Sequence, residues 1–579
     1  MTGILDVIWV LAVVVLMFGA AIFVHEFGHY WVALKRGLKV EEFAIGFGPI
    51  LWSREKDGIL YSIRWIPAGG FVKLPQMLTS EALEGKPKIE DEGEGSDPEG
   101  SGEDEEEEQE ELPPVSPWSK ILVAFAGPFM NIVFAFVIAL VLWAVGVLKP
   151  ASTTTIGYVG SSEEGYAKVR PGDKLAKIDG QEVSTWQKVI FAVIRHEGEK
   201  VPATFSRVSG GKTEIIETEL STGKGARRIK GLHLSTAEKL IIAKIETKGY
   251  LSEIGFKEGD EILKVNGHAV YGQHHFLQLL LTDSMEKKIL VSNDGRERRL
   301  DFLPTDDSSV KVMGVPKPML GTWESFWVSI GLKEEKPLPA TAAMEAGIEK
   351  DDLILEMNGE RITSSRHLID RIRENGEETA ALLVARGDER LDLKVTPKMD
   401  TADGQVRVGI ALGDEAGIVF RPTQTVYQPV EPTPGPLVQM KEVWDMITLT
   451  VSALTRSSET GVGAKDLSGP VGIFGMLSIQ VKTDYRLALS FLVLLNINLA
   501  ILNLLPVPVL DGGHIVMSII EKIRDKPISL RVQEYATTVF AVMLLSFMLY
   551  VTFFDIKERV PIFKELFNRE ATIQESPSK

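Results

Sequence analysis

The sequence predicts a multidomain membrane protein with an α-helical transmembrane core of about four spans and a β-rich extracytoplasmic region. Three observations support this fold class. Long apolar runs open and close the chain, the polar stretch between them repeats itself, and basic residues gather at particular ends of the apolar runs. With 579 residues, 44% of them hydrophobic, the chain is long enough for several domains.

The first apolar run extends from about Ile4 to Val24 and continues into the motif His25-Glu26-Phe27-Gly28-His29. No Lys or Arg precedes Lys35, whereas the segment from Lys35 to Lys73 contains seven. The positive-inside rule therefore places the N-terminus outside and the segment after the motif in the cytoplasm. The run lacks the basic start and small-residue cleavage site of a signal peptide, so we expect a retained span.

The HExxH motif is the strongest candidate for chemistry. His25 and His29 are four residues apart and share a helix face, so together they can hold one zinc ion. Glu26 is offset from that pair and can act as a general base on a zinc-bound water. The chain has no cysteine, so a metal must use His, Asp, Glu or water. The alternative is a pair of interfacial histidines without a metal.

Two segments of different character follow the first span. Residues 40–74 mix β-formers with Gly and Pro and predict short strands and turns associated with the membrane. Within them, Gly46-Phe47-Gly48 predicts either an apolar loop that approaches another backbone or a plain hairpin turn. Residues 79–117 are acidic and of low complexity, which predicts a disordered cytoplasmic insert.

That insert accounts for most of the net charge of −17. Between Glu81 and Glu111 there are 16 acidic residues against Lys86 and Lys88, which leaves a charge of −3 for the rest of the chain. The composition therefore gives no indication of nucleic-acid binding. A calcium or basic-partner role for the insert is the alternative to a solvated tail.

Three further spans are predicted. The second covers about Ile121–Leu148 and carries Asn131, which either bonds a neighbouring helix or takes part in an active site. The third, Leu487–Val509, is interrupted by prolines and leads to Leu510-Asp511-Gly512-Gly513-His514. The fourth, Ala536–Phe554, has 19 residues, or about 28 Å of helix, enough to cross the hydrocarbon core.

Between the second and third spans, one motif occurs three times. VRPGDKLAKIDGQEVS, FKEGDEILKVNGHAVY and IEKDDLILEMNGERIT place the acids Asp173, Asp260 and Asp352 about ninety residues apart. Each copy resembles the PDZ domain, a family that binds chain ends or extended peptides by strand addition. Spacers without a ligand are the alternative. A proline-rich linker (426–436) and an amphipathic membrane-surface helix (Leu437–Leu454) follow.

A catalytic zinc needs a third protein ligand, and Asp511 is the best candidate. No His or well-placed carboxylate follows His29 on its own helix. The third span runs from outside to inside, so Asp511 lies at the depth of the two histidines. The alternative, an N-cap role for Asp511, is worth only about 1 kcal/mol.

These motifs resemble the site-2 protease family (M50), zinc endopeptidases embedded in membranes, and in particular its bacterial RseP type. HEFGH and NLLPVPVLDGGH carry the resemblance, supported by IGFGP, IPAGGFVKL, AGPFMN and LSGPVGI. The resemblance implies one zinc ion held by His25, His29 and Asp511, with Glu26 as the catalytic acid/base. It also implies substrate binding by Asn131, Asn498, Asn503, Gly46, Phe47 and Gly48.

The implied activity is cleavage of transmembrane segments of single-pass proteins, such as anti-sigma factors or remnant signal peptides, in the bacterial inner membrane. The implied partners are those substrates, peptide ends at the PDZ-like units and lipid, with no nucleic acid. The chain departs from the usual pattern by its third PDZ-like unit and its acidic insert. Two rival functions are a non-catalytic PDZ scaffold and, less favoured, a zinc transporter.

The sequence thus predicts the following domains. They are the first helix with HExxH (1–35), a membrane-associated β/loop region (36–78), the acidic insert (79–117), the second helix (118–149), PDZ-like units (150–225, 226–308 and 309–425), the linker and surface helix (426–485), the third helix with the LDG motif (486–524), the fourth helix (532–556) and a C-terminal tail (557–579).

Overall fold

The structure, a computed structural model, describes residues 2–77, 115–151, 153–224, 229–305, 309–316, 340–400, 405–414, 416–421, 426–526, 528–560 and 572–573. The chain forms two compact units. Unit one comprises Met1–Pro150, Val426–Val451 and Gly463–Lys579, and unit two comprises Ala151–Thr425 and Ser452–Val462. The predicted acidic insert at 79–117 falls almost entirely on residues 78–114, which lie outside the described residues.

The described helices are α1 (Thr2–Lys35), α2 (Pro117–Val145), α3 (Glu164–Ala167), α4 (Trp186–Arg195), α5 (Gln273–Leu281), α6 (Ala342–Glu345), α7 (Ser365–Asn375), α8 (Pro436–Thr455), α9 (Ser457–Thr460), α10 (Pro470–Thr483), α11 (Tyr485–Asn503), α12 (Asp511–Arg524) and α13 (Leu530–Phe554). Short 3-10 turns lie at Pro75–Met77 and Ala464–Asp466, and a π turn at Asp555–Arg559 follows α13.

The described strands are β1 (Glu42–Lys56), β2 (Ile59–Lys73), β3 (Leu148–Pro150), β4 (Ile156–Val159), β5 (Lys174–Ile178), β6 (Gln181–Glu182), β7 (Lys200–Ser209), β8 (Lys212–Ser221), β9 (Gly223–Lys224), β10 (Lys230–Gly231), β11 (Leu234–Thr236), β12 (Ile242–Ile245), β13 (Glu261–Val265), β14 (His268–Ala269), β15 (Lys287–Asn293), β16 (Arg296–Phe302), β17 (Val310–Gly314), β18 (Leu353–Met357), β19 (Glu360–Arg361), β20 (Ala380–Arg386), β21 (Glu389–Val395), β22 (Lys398–Asp400), β23 (Gln405–Arg407), β24 (Ala411–Asp414), β25 (Ile418–Phe420), β26 (Val426–Pro429) and β27 (Thr572–Ile573).

Four helices in the described part of unit one are long and apolar enough to cross a membrane: α1, α2, α11 and α13. The third is shorter than the predicted span Leu487–Val509, because α11 ends at Asn503. Pro506 and Pro508 follow within five residues and cannot continue a helix, since proline lacks the N–H and crowds the preceding turn. The chain then turns, and α12 begins at Asp511.

Helix α2 is the centre of the membrane core, because both α1 and α11 pack against it. Small residues allow the close approach: Ala135 and Ala139 are fully buried beside Leu492 and Val493 of α11. On the other side, a Cβ at Gly28 of α1 would lie only 2.5 Å from the carbonyl oxygen of Ala126. Backbone contact between α1 and α2 therefore requires glycine at this position.

Helix α8 matches the predicted amphipathic helix at Leu437–Leu454. Met440, Val443 and Ile447 pack against the core formed by α2 and α11. Away from that core, the side chains of Leu437 and Trp444 are 74% and 55% exposed. An apolar surface of this kind suits the boundary between lipid and water, where tryptophan is enriched.

The segment after α1 forms a long hairpin in place of the predicted short strands. Strands β1 and β2 have fifteen residues each and pair antiparallel. The turn lies at Asp57-Gly58, where both residues have positive φ (54° and 73°), as a two-residue hairpin requires. Gly46 and Gly48 lie within β1 at φ of 90° and 82°, amid shifts in the pairing register. The alternative of a hairpin turn at Gly46–Gly48 is therefore wrong.

Unit two contains three similar β-rich repeats. Repeat one has the sheet β6-β5-β7-β8, repeat two the sheet β14-β13-β15-β16, and repeat three the sheet β21-β20-β18-β17-β24. Each carries one longer helix, α4, α5 or α7, against its sheet. Each also has a separate cluster of buried apolar side chains, so each repeat has its own core.

The three aligned acids are buried structural residues. Asp173, Asp260 and Asp352 are at most 2% exposed, and each accepts a hydrogen bond from the backbone N–H three residues earlier. Arg207 pairs with Asp173, and Arg386 pairs with Asp352, each 34 residues further along. In repeat two the partner arginine is Arg298, on the next strand, and the Asn293 amide also donates to Asp260.

Repeat three is inserted into repeat two, which differs from the predicted succession at 226–308 and 309–425. Strand β25, which follows repeat three in sequence, pairs with β12 of repeat two. Ala416 and Ile418 belong to the buried core of repeat two. Local motifs could not show this arrangement, because the closing strand is only three residues long and pairs with a partner about 175 residues earlier.

Asp260 gives a test of how these buried acids stabilise a repeat. Burial by itself raises the pKa of Asp260, but hydrogen bonds from Asn293, the Lys257 N–H and Arg298 outweigh it, so the pKa is lower than usual. A lowered pKa in the folded state stabilises the fold above the unfolded pKa of about 3.9, and this stabilisation is lost as the pH falls.

We expect Asp260→Asn to destabilise repeat two by about 3 kcal/mol at neutral pH, because Arg298 loses a buried partner. Hydrogen exchange of β13 and β15 in the full chain measures the effect, which should shrink as the pH approaches 3. Asp301→Asn, at an exposed position on β16, is the control. Equal protection in the two variants would show that the buried carboxylate is not needed.

Candidate metal centre

The two histidines of the HExxH motif lie on one face of α1, as their spacing predicts. Both are buried, with exposed fractions of 8% and 9%. Their Nε2 atoms are 3.2 Å apart, and the two rings are nearly perpendicular, at 81°. Two imidazole nitrogens held this close repel each other unless a proton or a cation lies between them.

Asp511 joins this pair from the far end of the chain. Its Oδ2 lies 3.3 Å from Nε2 of His25, and its Oδ1 lies 3.4 Å from Nε2 of His29. Among the residues that the structure describes, these three side chains form a group close enough together to hold a metal ion. Asp511 is the first residue of α12, and the N-cap is Leu510, so the alternative of an N-cap role is not what the structure shows.

The two glycines after Asp511 make its position possible. A Cβ at Gly512 would lie 2.2 Å from the carbonyl oxygen of Leu505, and a Cβ at Gly513 would lie 2.3 Å from that of Val507. The chain between α11 and α12 therefore folds tightly over the first turn of α12. Any side chain at either position would push this turn, and Asp511 with it, away from α1.

Helix α2 orients both imidazoles through contacts with their Nδ1 atoms, on the side of each ring away from Asp511. Nδ1 of His29 is 2.8 Å from the carbonyl oxygen of Val123, which can only accept, so Nδ1 carries the proton and Nε2 keeps a lone pair. His29 fits against α2 because residue 127 is glycine: a Cβ there would lie 2.1 Å from Nε2. Nε2 of His29 is thus available as a metal ligand.

His25 is held in a similar way by a buried amide. Nδ1 of His25 is 3.1 Å from the side-chain nitrogen of Asn131, which is fully buried, and Oδ1 of Asn131 has no hydrogen-bond partner. Turning the amide by 180° brings Oδ1 against a protonated Nδ1, satisfies the buried oxygen and leaves a lone pair on Nε2. Outer partners of this kind commonly orient histidine ligands of metals.

The donor set fits zinc. Zinc prefers imidazole nitrogen and carboxylate oxygen in a tetrahedron, whose edges are about 3.4 Å for bonds of about 2.1 Å. The two Nε2 atoms are 3.2 Å apart, and each lies 3.3 or 3.4 Å from a different oxygen of Asp511. One ligand atom from each of the three residues lies within 4.8 Å of the others, so a small adjustment of the side chains brings them to this geometry. Oδ2 of Asp511 is also buried without a hydrogen bond. His25, His29 and Asp511 can hold one zinc ion and leave a fourth position open.

Glu26 lies next to the cluster and against the hairpin. It interacts electrostatically with His25, His29 and Asp511. Its Cγ would be 2.8 Å from a Cβ at Gly70, so the space for the glutamate side chain depends on that glycine. Gly70 pairs with Ile45 of β1. The Glu26 side chain therefore lies beside both the candidate metal ligands and the strand β2 residue that pairs with Ile45, next to Gly46.

The residues predicted to bind substrate divide into two groups. Asn131 and Asn503 both contact the imidazole of His25, and the side-chain nitrogen of Asn503 is 3.3 Å from its Nε2. Asn498 is not among the described contacts of the two imidazoles. Asn498 is partly buried on α11. Gly46, Phe47 and Gly48 lie on β1, and the ring of Phe47 is 45% exposed and stacks beside Phe71.

Three contributors were not predicted as site residues: Gly70, Gly127 and the Val123 carbonyl. Both glycines occur within the IPAGGFVKL and AGPFMN motifs, so a signal for them exists in the sequence. Their roles depend on which side chain approaches them, and those side chains lie about 45 and about 100 residues away. The Val123 carbonyl has no sequence signal, because every residue carries one.

Comparison with known proteins places this chain among membrane metalloproteases. The model of peptidase family M50 matches residues 13–547. Protease RseP of Yersinia pestis is 26% identical over 563 residues, which covers 95% of this chain and 99% of that protein. The regulator of sigma-E protease RseP of Escherichia coli K12 is 26% identical over 554 residues, with the same coverage.

Solved structures match smaller parts of the chain. The PDZ domain of an SdrC-like protein from Listeria monocytogenes is 21% identical and covers 19% of this chain and 93% of its own, with a TM-score of 0.14. Because the family model spans most of the sequence, and because the donor set fits zinc, the resemblance found in the motifs is confirmed: this chain belongs to peptidase family M50 and is a zinc metalloprotease.

Proposed function

We propose that this protein is a site-2 protease that cleaves single-pass membrane proteins within or beside the bilayer of the bacterial inner membrane. The observation that carries the proposal is the meeting of His25, His29 and Asp511. These residues come from two helices almost 500 positions apart in sequence. Such groups are costly in lipid unless they pair or bind a cation, so their convergence supports a catalytic metal site.

The proposed chemistry assigns one role to each residue. His25, His29 and Asp511 hold the zinc ion, which when bound lowers the pKa of water and polarises a carbonyl group. Glu26 accepts the proton from the attacking water and delivers it to the departing amine nitrogen. Asn131 and the Val123 carbonyl keep the two imidazoles in the orientation that leaves Nε2 free.

A transmembrane substrate has to unwind before hydrolysis, because the carbonyls of a helix are hydrogen-bonded and shielded. The unwound segment then needs new partners, since unsatisfied peptide groups in an apolar setting cost several kcal/mol. The amide of Asn503, beside His25, and the backbone of β1 near Gly46–Gly48 are proposed to supply donors and acceptors, together with the amide of Asn498 earlier on α11. The exposed ring of Phe47 supplies an apolar contact.

The repeats of unit two are proposed to select the substrate. PDZ-like units bind chain ends by strand addition, and β24 is an edge strand of its sheet. The charge distribution of the sequence supports the proposal that these repeats lie outside the cytoplasm and the metal ligands toward the cytoplasmic face. Substrates already shortened on the outside, such as anti-sigma factors, would then be preferred.

A metal assay tests the proposal. We expect the purified full chain to bind about one zinc ion and Asp511→Ala to retain less than a tenth of that occupancy under the same dialysis, because two ligands hold zinc far more weakly than three. Asp525→Ala, at the opposite end of α12, is the matched control. Equal zinc contents in wild type and Asp511→Ala would overturn the ligand assignment.

A further inference from the structure

The connection before α12 packs over the first turn of that helix, but the rest of α12 needs contacts of its own to keep Asp511 in place. Helix α12 follows a seven-residue connection that contains two prolines, and Asp511 is its first residue. Metal donors have to lie within about 0.2 Å of their places for tight binding. Contacts further along α12 must therefore hold the helix against the rest of the site.

One face of α12 points toward α2. Asp511, Ser518 and Glu521 are separated by seven and three residues, spacings that place side chains on one side of a helix. Ser518 is 4% exposed, whereas Ile519 and Ile523 on the other side are 42% and 76% exposed. Glu521 therefore belongs to the face that also presents Asp511.

Glu521 forms an ion pair with the first turn of α2. Nζ of Lys120 lies 2.9 and 3.2 Å from the two carboxylate oxygens, and both side chains are mostly shielded, at 16% and 21% exposure. Beside it, Nζ of Lys522 lies 3.9 Å from the ring centre of Trp118. Lys120 is about one turn of α2 away from Val123, whose carbonyl oxygen accepts a hydrogen bond from His29 and so orients its ring.

The charges of this pair oppose the helix dipoles. Lys120 lies near the N-terminus of α2, where a positive charge is unfavourable, and Glu521 lies near the C-terminus of α12, where a negative charge is unfavourable. Each placement is destabilising for the helix that carries it. Helix stability thus does not explain these two residues, whereas contact between the two helices does.

We propose that Glu521, paired with Lys120, is a positioning residue that holds the Asp511 carboxylate at the metal site. The proposal rests on the proposed zinc site. One end of α2 would then align both halves of the site, His29 through Val123 and Asp511 through Lys120. Loss of the pair lets the C-terminal part of α12 move away from α2, and this displaces Asp511.

Zinc affinity of the full chain tests the proposal. We expect Glu521→Gln to weaken zinc binding about 10-fold in a chelator competition, the lower end of the range known for groups that orient metal ligands directly. The visible spectrum of the cobalt-substituted protein should change at the same time. Glu442→Gln is the matched control, because Glu442 pairs with Lys149 at 2.7 and 2.8 Å near the opposite end of α2.

A charge reversal separates positioning from folding. Lys120→Glu combined with Glu521→Lys restores the pair and also suits both helix dipoles, so zinc affinity should return to within about threefold of wild type. If Glu521→Gln does not accumulate, Lys120→Gln breaks the same pair and should show the same loss. Wild-type affinity in the single variants overturns the proposal, and so does a reversal that fails to restore it. Asp511→Ala, measured alongside, tests the zinc site itself.

Discussion

Replacing Glu26 with Gln is expected to lower the rate of peptide-bond hydrolysis by about 10³-fold while leaving zinc bound. General acid–base catalysis contributes about 10²–10⁴-fold, and the amide of Gln cannot accept the proton from the attacking water. Gln has nearly the same shape as Glu, so the space beside Gly70 stays filled. Glu26 is not one of the three side chains proposed to hold the metal, so zinc content should be unchanged.

The measurement uses purified full-length protein in lipid vesicles and a single-pass model substrate whose membrane segment contains helix-destabilising residues. Glu41→Gln is the control, because Glu41 lies just before the same hairpin and pairs with Lys73 at its surface. Cleavage by Glu26→Gln at a tenth of the wild-type rate or more would exclude Glu26 as the acid/base. Loss of zinc in this variant would instead indicate that Glu26 is a ligand.

Two deletions in unit two are expected to have opposite effects on repeat two. Removal of 309–414 excises repeat three but keeps β25, so repeat two should stay folded. Described residues on either side of the gap are close together, because Tyr250 contacts Phe302 while the N–H of its neighbour Leu251 donates to Ala416. A short linker can therefore close the gap at low entropic cost.

Removal of 309–425, the third unit with the boundaries expected from the repeat motifs, should unfold repeat two. It deletes Ala416 and Ile418 from the core and leaves β12 without its partner strand. Loss of one buried Ile side chain alone costs about 2–5 kcal/mol, and a domain is stable by only about 5–15 kcal/mol.

Hydrogen exchange of β13 and β15 in the full chain distinguishes the two outcomes. We expect protection close to wild type after the shorter deletion and a loss of at least about 10³-fold after the longer one, as for global unfolding. Strand β5 of repeat one is the internal control and should stay protected in both. Equal protection of repeat two in the two deletions would contradict the inserted arrangement.

Local physical rules accounted for the parts of this protein whose partners are close in sequence. Hydropathy located the apolar helices, because a membrane span needs about twenty consecutive apolar residues. The spacing of His25 and His29 placed them on one face, because helix geometry is local. Charge asymmetry and span order predicted Asp511 at the depth of the two histidines, and the structure brings the three side chains together. The recurring acids indicated three repeats before their arginine partners were known.

Only the tertiary structure decided what depends on distant partners. The hydrogen bond from His29 joins residues 94 positions apart, and the contact between Asn503 and His25 spans 478. Gly70 and Gly127 matter because of the side chains that fill the space beside them. Repeat three lies inside repeat two because one short strand pairs across the insertion. Apolar pattern and motif spacing describe each element separately. Tertiary packing decides which elements meet, and it therefore brings the residues of the candidate metal site together.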